Sequence, residues 1–208
     1  MKKCVIIGGA PINDYENTRR HIGDDDFVIV CDCGLKHLDG LKLEPSLIVG
    51  DFDSHKRPEI DVETIVLPRE KDDTDTFFAV KEAVARGFDD FLLVGVIGKR
   101  IDHSLANLSI LLYLDDLKLR ARALDDYSSL EIVSRQVALV DDSHPFFSLL
   151  AIDGKAGGIS IKNALFPLEN GVISPDYQYG VSNEVLKGET AEIRVSSGRL
   201  LLVKVIKD

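Results

Sequence analysis

Two rhythms of apolar and polar positions divide the chain. Through roughly its first 125 residues, short β-branched apolar runs alternate with stretches whose apolar residues recur every three or four positions. That alternation is the pattern of parallel strands joined by crossover helices. Strands are expected at Cys4 to Ile7, Phe27 to Cys31, Leu47 to Val49, Thr64 to Leu67 and Phe91 to Val96. They are apolar almost throughout, as strands are when helices cover both faces of their sheet. Helices are expected at Thr76 to Arg86, with Phe77, Val80 and Val84 as the inward stripe, and at Ser104 to Leu114, with Leu105, Leu108 and Leu112. From about Leu130 the helical period disappears. Short strands are expected at Leu130 to Val133, Val137 to Val140, Ile159 to Ile161, Ala191 to Val195 and Leu200 to Val205, punctuated by Gly and Pro. The expected fold is α/β: a doubly wound, mostly parallel domain over 1–125, a hinge at Ala123 to Ser129, and a small all-β sandwich over 130–208.

Composition narrows the function classes. A chain of 208 residues with 45% hydrophobic positions can bury a core, and none of its apolar runs approaches a membrane span. No signal-peptide h-region follows Met1, so a cytoplasmic location is expected. A formal charge of −10 without an extended basic patch argues against nucleic acid as a partner. Cys4, Cys31 and Cys33 lie in or beside apolar strands without CxxC spacing, which favours reduced thiols over a disulfide or zinc site.

The chemistry-bearing residues cluster at expected strand ends. Asp51 and Asp53 follow SLIV in GDFDS; in an extended chain, positions i and i+2 point the same way and reach one cation. Gly50 would permit close backbone approach there. A polar turn closed by Asp and Ser explains the same residues equally well. KDDTD opens the Phe77 helix, placing Asp72 and Asp75 three apart, with Asp73 expected in solvent and Arg69 and Lys71 able to offset phosphate charge. Capping and the helix dipole account for one or two of those acids. GKRIDHS brings Arg100, Asp102 and His103 to the start of the Leu105 helix; Asp102 as a cap and Arg100 as a surface ion-pair partner are the plain alternatives. Asp32, before Gly34, stands at a fourth strand end. Gly8 and Gly9 form no full GxGxxG and no Walker motif is present, which excludes an ordinary P-loop ATPase.

The ordered set resembles the thiamine pyrophosphokinase family over nearly the whole chain. The resemblance is carried by DCG at Asp32 to Gly34, PSLIVGDFDS at Pro45 to Ser54, KDDTD at Lys71 to Asp75 and GKRIDHSLAN at Gly98 to Asn107. It continues through LFPLEN at Leu165 to Asn170 and GVSNE at Gly180 to Glu184. The resemblance implies an ATP- and Mg²⁺-handling α/β domain, a thiamine-binding β domain, and a homodimer with sites between subunits. The reaction would move pyrophosphate from ATP to the thiamine hydroxyl, leaving AMP. By motif, Asp51, Asp53, Asp72, Asp75, Asp102, Lys71 and Arg100 are the implied catalytic set, with Asp51, Asp53, Asp75 and Asp102 as metal ligands. Asp32, Gly34, Lys71, Arg100, His103 and Asn107 would line the nucleotide, and Ser182 and Asn183 the thiamine. Two departures stand out: Lys99 replaces a second Gly before the Arg, and the chain has no Trp to stack on thiamine. Phe166, Tyr177 and Tyr179 are candidate replacements, with Phe166 expected in the core. Alternatives are a pyrophosphokinase for another small alcohol such as a hydroxymethylpterin, and a nucleotide- or metal-binding module without turnover. A metal-dependent phosphatase fits the aspartates but not the second domain.

Overall fold

The computed structural model describes residues 1–52, 61–70 and 72–207. Asp53 and Lys71, both implied site residues, lie outside the described residues. The chain divides into two compact units, Met1–Asp126 and Tyr127–Asp208.

The first unit runs β1 (Lys3–Ile7), α1 (Tyr15–Arg19), β2 (Phe27–Cys31), a 3-10 helix (Asp32–His37), α2 (Leu38–Leu41), β3 (Leu47–Gly50), β4 (Thr64–Val66), α3 (Asp75–Ala85), β5 (Asp90–Val94), α4 (Ile101–Asp116) and β6 (Arg120–Leu124). Its strands pair in parallel in the order β4-β3-β2-β1-β5-β6. Ile6 sits opposite both Ile29 and Leu93, and all three are fully buried, which is why these runs are apolar at every position. The chain first moves outward from β1 through β2 and β3 to β4, then returns through α3 to β5 on β1's other side. Right-handed crossovers in opposite directions put helices on opposite faces, and the order reverses between β1 and β5. Ligands of such sheets bind beyond the strand carboxyl ends near that reversal.

On both long helices the inward face is shifted from the one their large apolar residues suggest, although Val80 of the expected stripe is fully buried. On α3 the buried residues are Ala79, Val80 and Ala83, because small side chains let the helix approach the sheet closely. Phe77 instead meets Tyr113 of α4 edge-on, ring centroids 5.1 Å apart. On α4 the buried residues include Ser104, Asn107, Ile110, Leu111 and Leu114, whereas Leu105 is 58% and Ile101 70% exposed. The expected hinge is largely strand: Ala123 and Leu124 close β6, and Ser128 opens the next strand.

The second unit contains β7 (Ser128–Val133), β8 (Ala138–Asp141), β9 (Phe147–Leu150), β10 (Ala156–Lys162), β11 (Leu168–Ile173), β12 (Thr190–Arg194) and β13 (Leu200–Val205). One antiparallel set is β7-β13-β9 and the other β11-β10-β12-β8. Val133, Phe147, Leu149, Leu200 and Leu202 of the first set share one core with Val140, Ile159, Ile161, Ile173, Ala191 and Ile193 of the second, which makes the unit a sandwich. The β9 and β11 segments lack a clean apolar alternation. β10 bulges beside Gly158, whose φ of +62° only glycine adopts without strain.

Candidate functional site

Asp32 and Asp51 immediately follow the adjacent strands β2 and β3, and α3 begins at Asp75. Oxygens of these three carboxylates lie within 4.8 Å of one another. Asp32 is 4% exposed, and Asp51 and Asp75 are half-buried. Local sequence explains the approach. A Cβ on Gly50 would stand 2.8 Å from the Asp32 Cβ, so only glycine lets β3 run this close to its neighbour. A Cβ on Gly34 would stand 2.4 Å from the Ile7 carbonyl oxygen, so Gly34 lets the 3-10 helix fold back over β1. Thr74 caps α3 by accepting the Phe77 N–H at 3.2 Å, which leaves the Asp75 carboxylate for the cluster rather than for its own helix end.

Three hard oxygen donors converging at strand ends and a helix N-terminus form the donor set that Mg²⁺ takes. The cysteines compete poorly as ligands. Burial, reinforced by the charge of Asp75, pushes the Cys31 thiol far up, and burial followed by the charge of Asp32 raises Cys33. Both stay protonated at neutral pH.

Asp51 is not in the extended chain expected of GDFDS: Phe52 has φ +53°, a left-handed turn that ends the two-residue alternation. Among the described residues the second carboxylate comes to Asp51 from the neighbouring strand, and the expected pairing with Asp53 lies outside them. Asp32, first expected only to line the nucleotide, is therefore central, and its signal was available in the pairing of successive strands in a doubly wound sheet. Asp73 is not the solvated acid of its cluster; it pairs with Lys81, while Asp72 is exposed.

Asp102 stands outside the carboxylate cluster of the described residues. Arg100 is the N-cap residue of α4, and its guanidinium donates Nε to Asp102 Oδ1 at 3.2 Å and an Nη to Oδ2 at 2.5 Å. This contact holds the Asp102 carboxyl down at about 2. His103 is exposed on the same turn. Asn107 is buried and donates Nδ2 to the Val96 carbonyl at 2.7 Å, tying α4 to the exit of β5.

The β1 exit is also held. His37, buried, donates Nε2–H to the Ala10 carbonyl at 2.8 Å, so its Nδ1 accepts the Tyr15 hydroxyl at 2.8 Å. Burial lowers its pKa, in keeping with that neutral tautomer. Asp126 accepts the backbone N–H groups of Asn13 and Asp14 at 2.9–3.0 Å and the Asn13 side chain at 2.7 Å, fixing the loop that leads into α1.

The second unit carries a cavity of about 260 Å³ with an apolar wall that includes Ile161, Phe166, Leu168, Ile173, Tyr179 and Val181. Phe166 is not in the core as expected but 61% exposed. Asn183 also lines the cavity, yet its amide is committed: Oδ1 accepts the N–H groups of Phe166 and Glu184 at 3.0 and 2.9 Å, and Nδ2 donates to the Phe166 carbonyl at 2.8 Å. Ser182 is exposed, with φ +59° and its N–H donated to Ser148 Oγ at 3.1 Å.

Comparison with known proteins follows the same division. Residues 18–122 match the family model described as thiamin pyrophosphokinase, catalytic domain, and residues 133–200 match thiamin pyrophosphokinase, vitamin B1 binding domain. A curated relative, thiamine pyrophosphokinase of Bacillus subtilis strain 168, is 23% identical over 98% of this chain and 99% of its own. A crystal structure of the Bacillus subtilis thiamine pyrophosphokinase superposes with TM-score 0.87 at 20% identity, covering 100% of both chains. That of thiamin pyrophosphokinase from Geobacillus thermodenitrificans gives 0.85 at 25% identity, covering 99% of this chain and 98% of that one.

Proposed function

The chain belongs to the thiamin pyrophosphokinase family, and we infer that it transfers the pyrophosphoryl group of ATP to the hydroxyl of thiamine, with the two units dividing the work. The observation that carries the division is the convergence of Asp32, Asp51 and Asp75 inside the segment matched by the catalytic-domain model. In the reaction the thiamine oxygen forms a bond to the β-phosphorus of ATP, the bond from that phosphorus to the α-bridging oxygen breaks, and AMP leaves. The hydroxyl proton is released to a base.

Transfer of this kind asks a protein mainly for alignment and charge neutralisation. Asp32, Asp51 and Asp75 would hold Mg²⁺, and the ion when bound would neutralise phosphate oxygens and fix their orientation. Within the described residues, this chain's own cations at the strand ends add to that. Arg100, exposed at the start of α4, can exchange its Asp102 partner for a phosphate, and the first N–H groups of α4 favour an anion beside it. Gly34 keeps the 3-10 helix close to the β1 exit, and His37 holds the carbonyl of Ala10, so the loop facing the nucleotide is preset. In the second unit the aromatic-lined cavity suits a cationic heteroaromatic alcohol.

A homodimer is the proposed assembly. Its support is the apolar pair Ile101 and Leu105 on α4, both exposed among the described residues. No helix is long and apolar enough to cross a membrane. Dependence on ATP fits the cytoplasmic location expected from the sequence.

The test is incubation of the purified chain with ATP, Mg²⁺ and a panel of alcohols. AMP and thiamine diphosphate formed with thiamine, and not with a hydroxymethylpterin, are the expected products. AMP only with the pterin transfers the activity to another alcohol, and nucleotide binding without AMP removes it.

A further inference from the structure

Ser104 is buried on the first turn of α4, and its hydroxyl is used outside its own helix. It accepts the Gly98 N–H at 3.0 Å and has one proton for either the Arg100 carbonyl at 3.0 Å or the Gly98 carbonyl at 3.2 Å. The bond to Arg100, four residues back, is what any helical serine can make. The bond from Gly98, beyond the helix start, is not. One turn along the same face, buried Asn107 donates Nδ2 to the Val96 carbonyl at 2.7 Å. Two side chains of α4 therefore staple the connection from β5 at Val96 and Gly98. That connection lies against the β1 exit, where the strand order reverses. Ala10 donates its N–H to the Gly95 carbonyl at 2.7 Å, and a Cβ on Gly98 would stand 2.9 Å from both the Ala10 Cβ and the Pro11 Cδ. Because His37 holds Ala10 from its other side, the Ser104 bond to Gly98 fixes the α4 entry against a loop that is itself held.

We propose that Ser104 is the positioning residue for Arg100, its hydroxyl holding the Gly98–Arg100 backbone so that the guanidinium can leave Asp102 for a phosphate without the loop being ordered first. The proposal rests on the reading of ATP as the phosphate donor. Arg100 makes no side-chain cap bond, and its guanidinium and the Asp102 carboxylate are both exposed. An exposed pair of this kind is worth little and is readily exchanged. The backbone beneath it stays in place, because the Arg100 carbonyl also accepts the Ser104 N–H at 3.0 Å. A loop that must be ordered when its ligand arrives takes the entropy of ordering out of the affinity, and a loop already ordered does not. Losing the hydroxyl therefore leaves the guanidinium itself unchanged and weakens nucleotide binding. Asn107 serves the same connection, its amide donor committed to Val96.

Calorimetric titration with ATP and Mg²⁺, together with steady-state kinetics, tests this on Ser104→Ala, Ser104→Thr and Gly98→Ala in the full chain. In Ser104→Ala the Kd and KM for ATP should rise about fivefold, the worth of one hydrogen bond, with the KM for thiamine within about twofold of wild type. Ser104→Thr keeps the hydroxyl and should restore ATP affinity. In an Arg100→Ala background, Ser104→Ala should add no further loss, because the group it positions is gone. Gly98→Ala keeps the hydroxyl but crowds the loop against Ala10 and Pro11, and it should reproduce the loss. Gly98 is exposed, so this variant carries the test if Ser104→Ala does not fold. Unchanged ATP affinity in either alanine variant overturns the inference, as does an equal loss in the Arg100→Ala background. A rise shared by both KM values, or a folded Ser104→Thr that behaves as Ser104→Ala, makes Ser104 merely structural and overturns its positioning role. A wild-type chain that binds ATP but makes no thiamine diphosphate removes the proposed function alone, and the ATP affinities of the variants still decide this inference. A wild-type chain that binds no ATP overturns both.

Discussion

In the first unit, carboxylates from two strand ends and a helix start are brought within 4.8 Å of one another. In the second, the polar side chain nearest the cavity, Asn183, spends all its hydrogen bonds on the backbone and leaves an apolar wall to face the ligand. One unit concentrates like charge; the other satisfies its polarity internally and offers shape. The contrast separates residues of similar appearance in a motif. Asp75 and Asn183 both sit in acidic or polar signatures, but one has its helix capped by Thr74 on its behalf, and the other is itself the clamp.

The comparison can be broken most forcefully at the carboxylates. Asp75→Asn keeps the shape and removes one charge, and kcat should fall ~10²-fold or more, about 3 kcal/mol of barrier. AMP release by a folded variant is the measurement, and Mg²⁺ should raise the melting temperature of wild type but much less that of the variant. Near-normal turnover would mean that the cluster is not where the phosphates are neutralised. Next in size is a change in the scaffold of the second unit. Phe147→Ala empties a fully buried site and should destabilise that unit by about 3–5 kcal/mol, read by denaturant unfolding. Because Phe147 anchors Asn183, thiamine affinity should decline before the unit unfolds. If affinity survives a large loss of stability, the cavity does not depend on the core as described.

A smaller effect asks whether scaffold matters in the first unit as well. Thr74→Ala should cost about 1 kcal/mol of stability through loss of the α3 cap, by thermal or chemical melting. A fall in kcat beyond what a few-fold shift of Asp75 explains would show that the cap also sets the charge cluster. The least effect is expected at Arg100 and Asp102. The folded carboxyl, held at about 2, lies below its unfolded value, so the pair's contribution is complete above the ordinary carboxylate range. It is lost only as pH falls through about 2. Arg100→Ala should return Asp102 to the ordinary range, seen by NMR titration, and the small stability it costs should be the same at every pH between 6 and 8. A loss that varied across that window would tie the pair to a group titrating there rather than to Asp102.

Much of the first unit was legible because parallel strands buried on both faces must be apolar throughout, and β1, β2, β3 and β5 are. The helices were legible as helices, but not their inward faces. Large apolar residues on α3 and α4 mark the strongest hydrophobic stripe, whereas α3 buries Ala79 and Ala83 beside Val80 and α4 buries Ser104, whose hydroxyl bonds Gly98 and the Arg100 carbonyl. The division was legible, since the expected hinge at Ala123 to Ser129 spans the boundary between Asp126 and Tyr127, but the strand Arg120–Leu124 was not, because its alternating Arg and Ala give no apolar run. Phe166 was expected in the core because its composition gives no hint of the Asn183 clamp, a contact between residues 17 positions apart.

By itself the sequence determined the alternation of strands and helices, the change to an all-β rhythm near Leu130, and which clusters carry acids at strand ends. Those follow from local periodicity and from the turn residues that end each element. Which acids share a site was decided by strand adjacency: Asp32 and Asp51 meet because β2 pairs with β3 and Gly50 has no side chain, while Asp102 turns to Arg100. Tertiary structure likewise decided that Asn183 faces backbone and Phe166 faces solvent. Hydrogen bonds between distant segments fix side-chain roles, and no spacing along the chain encodes them.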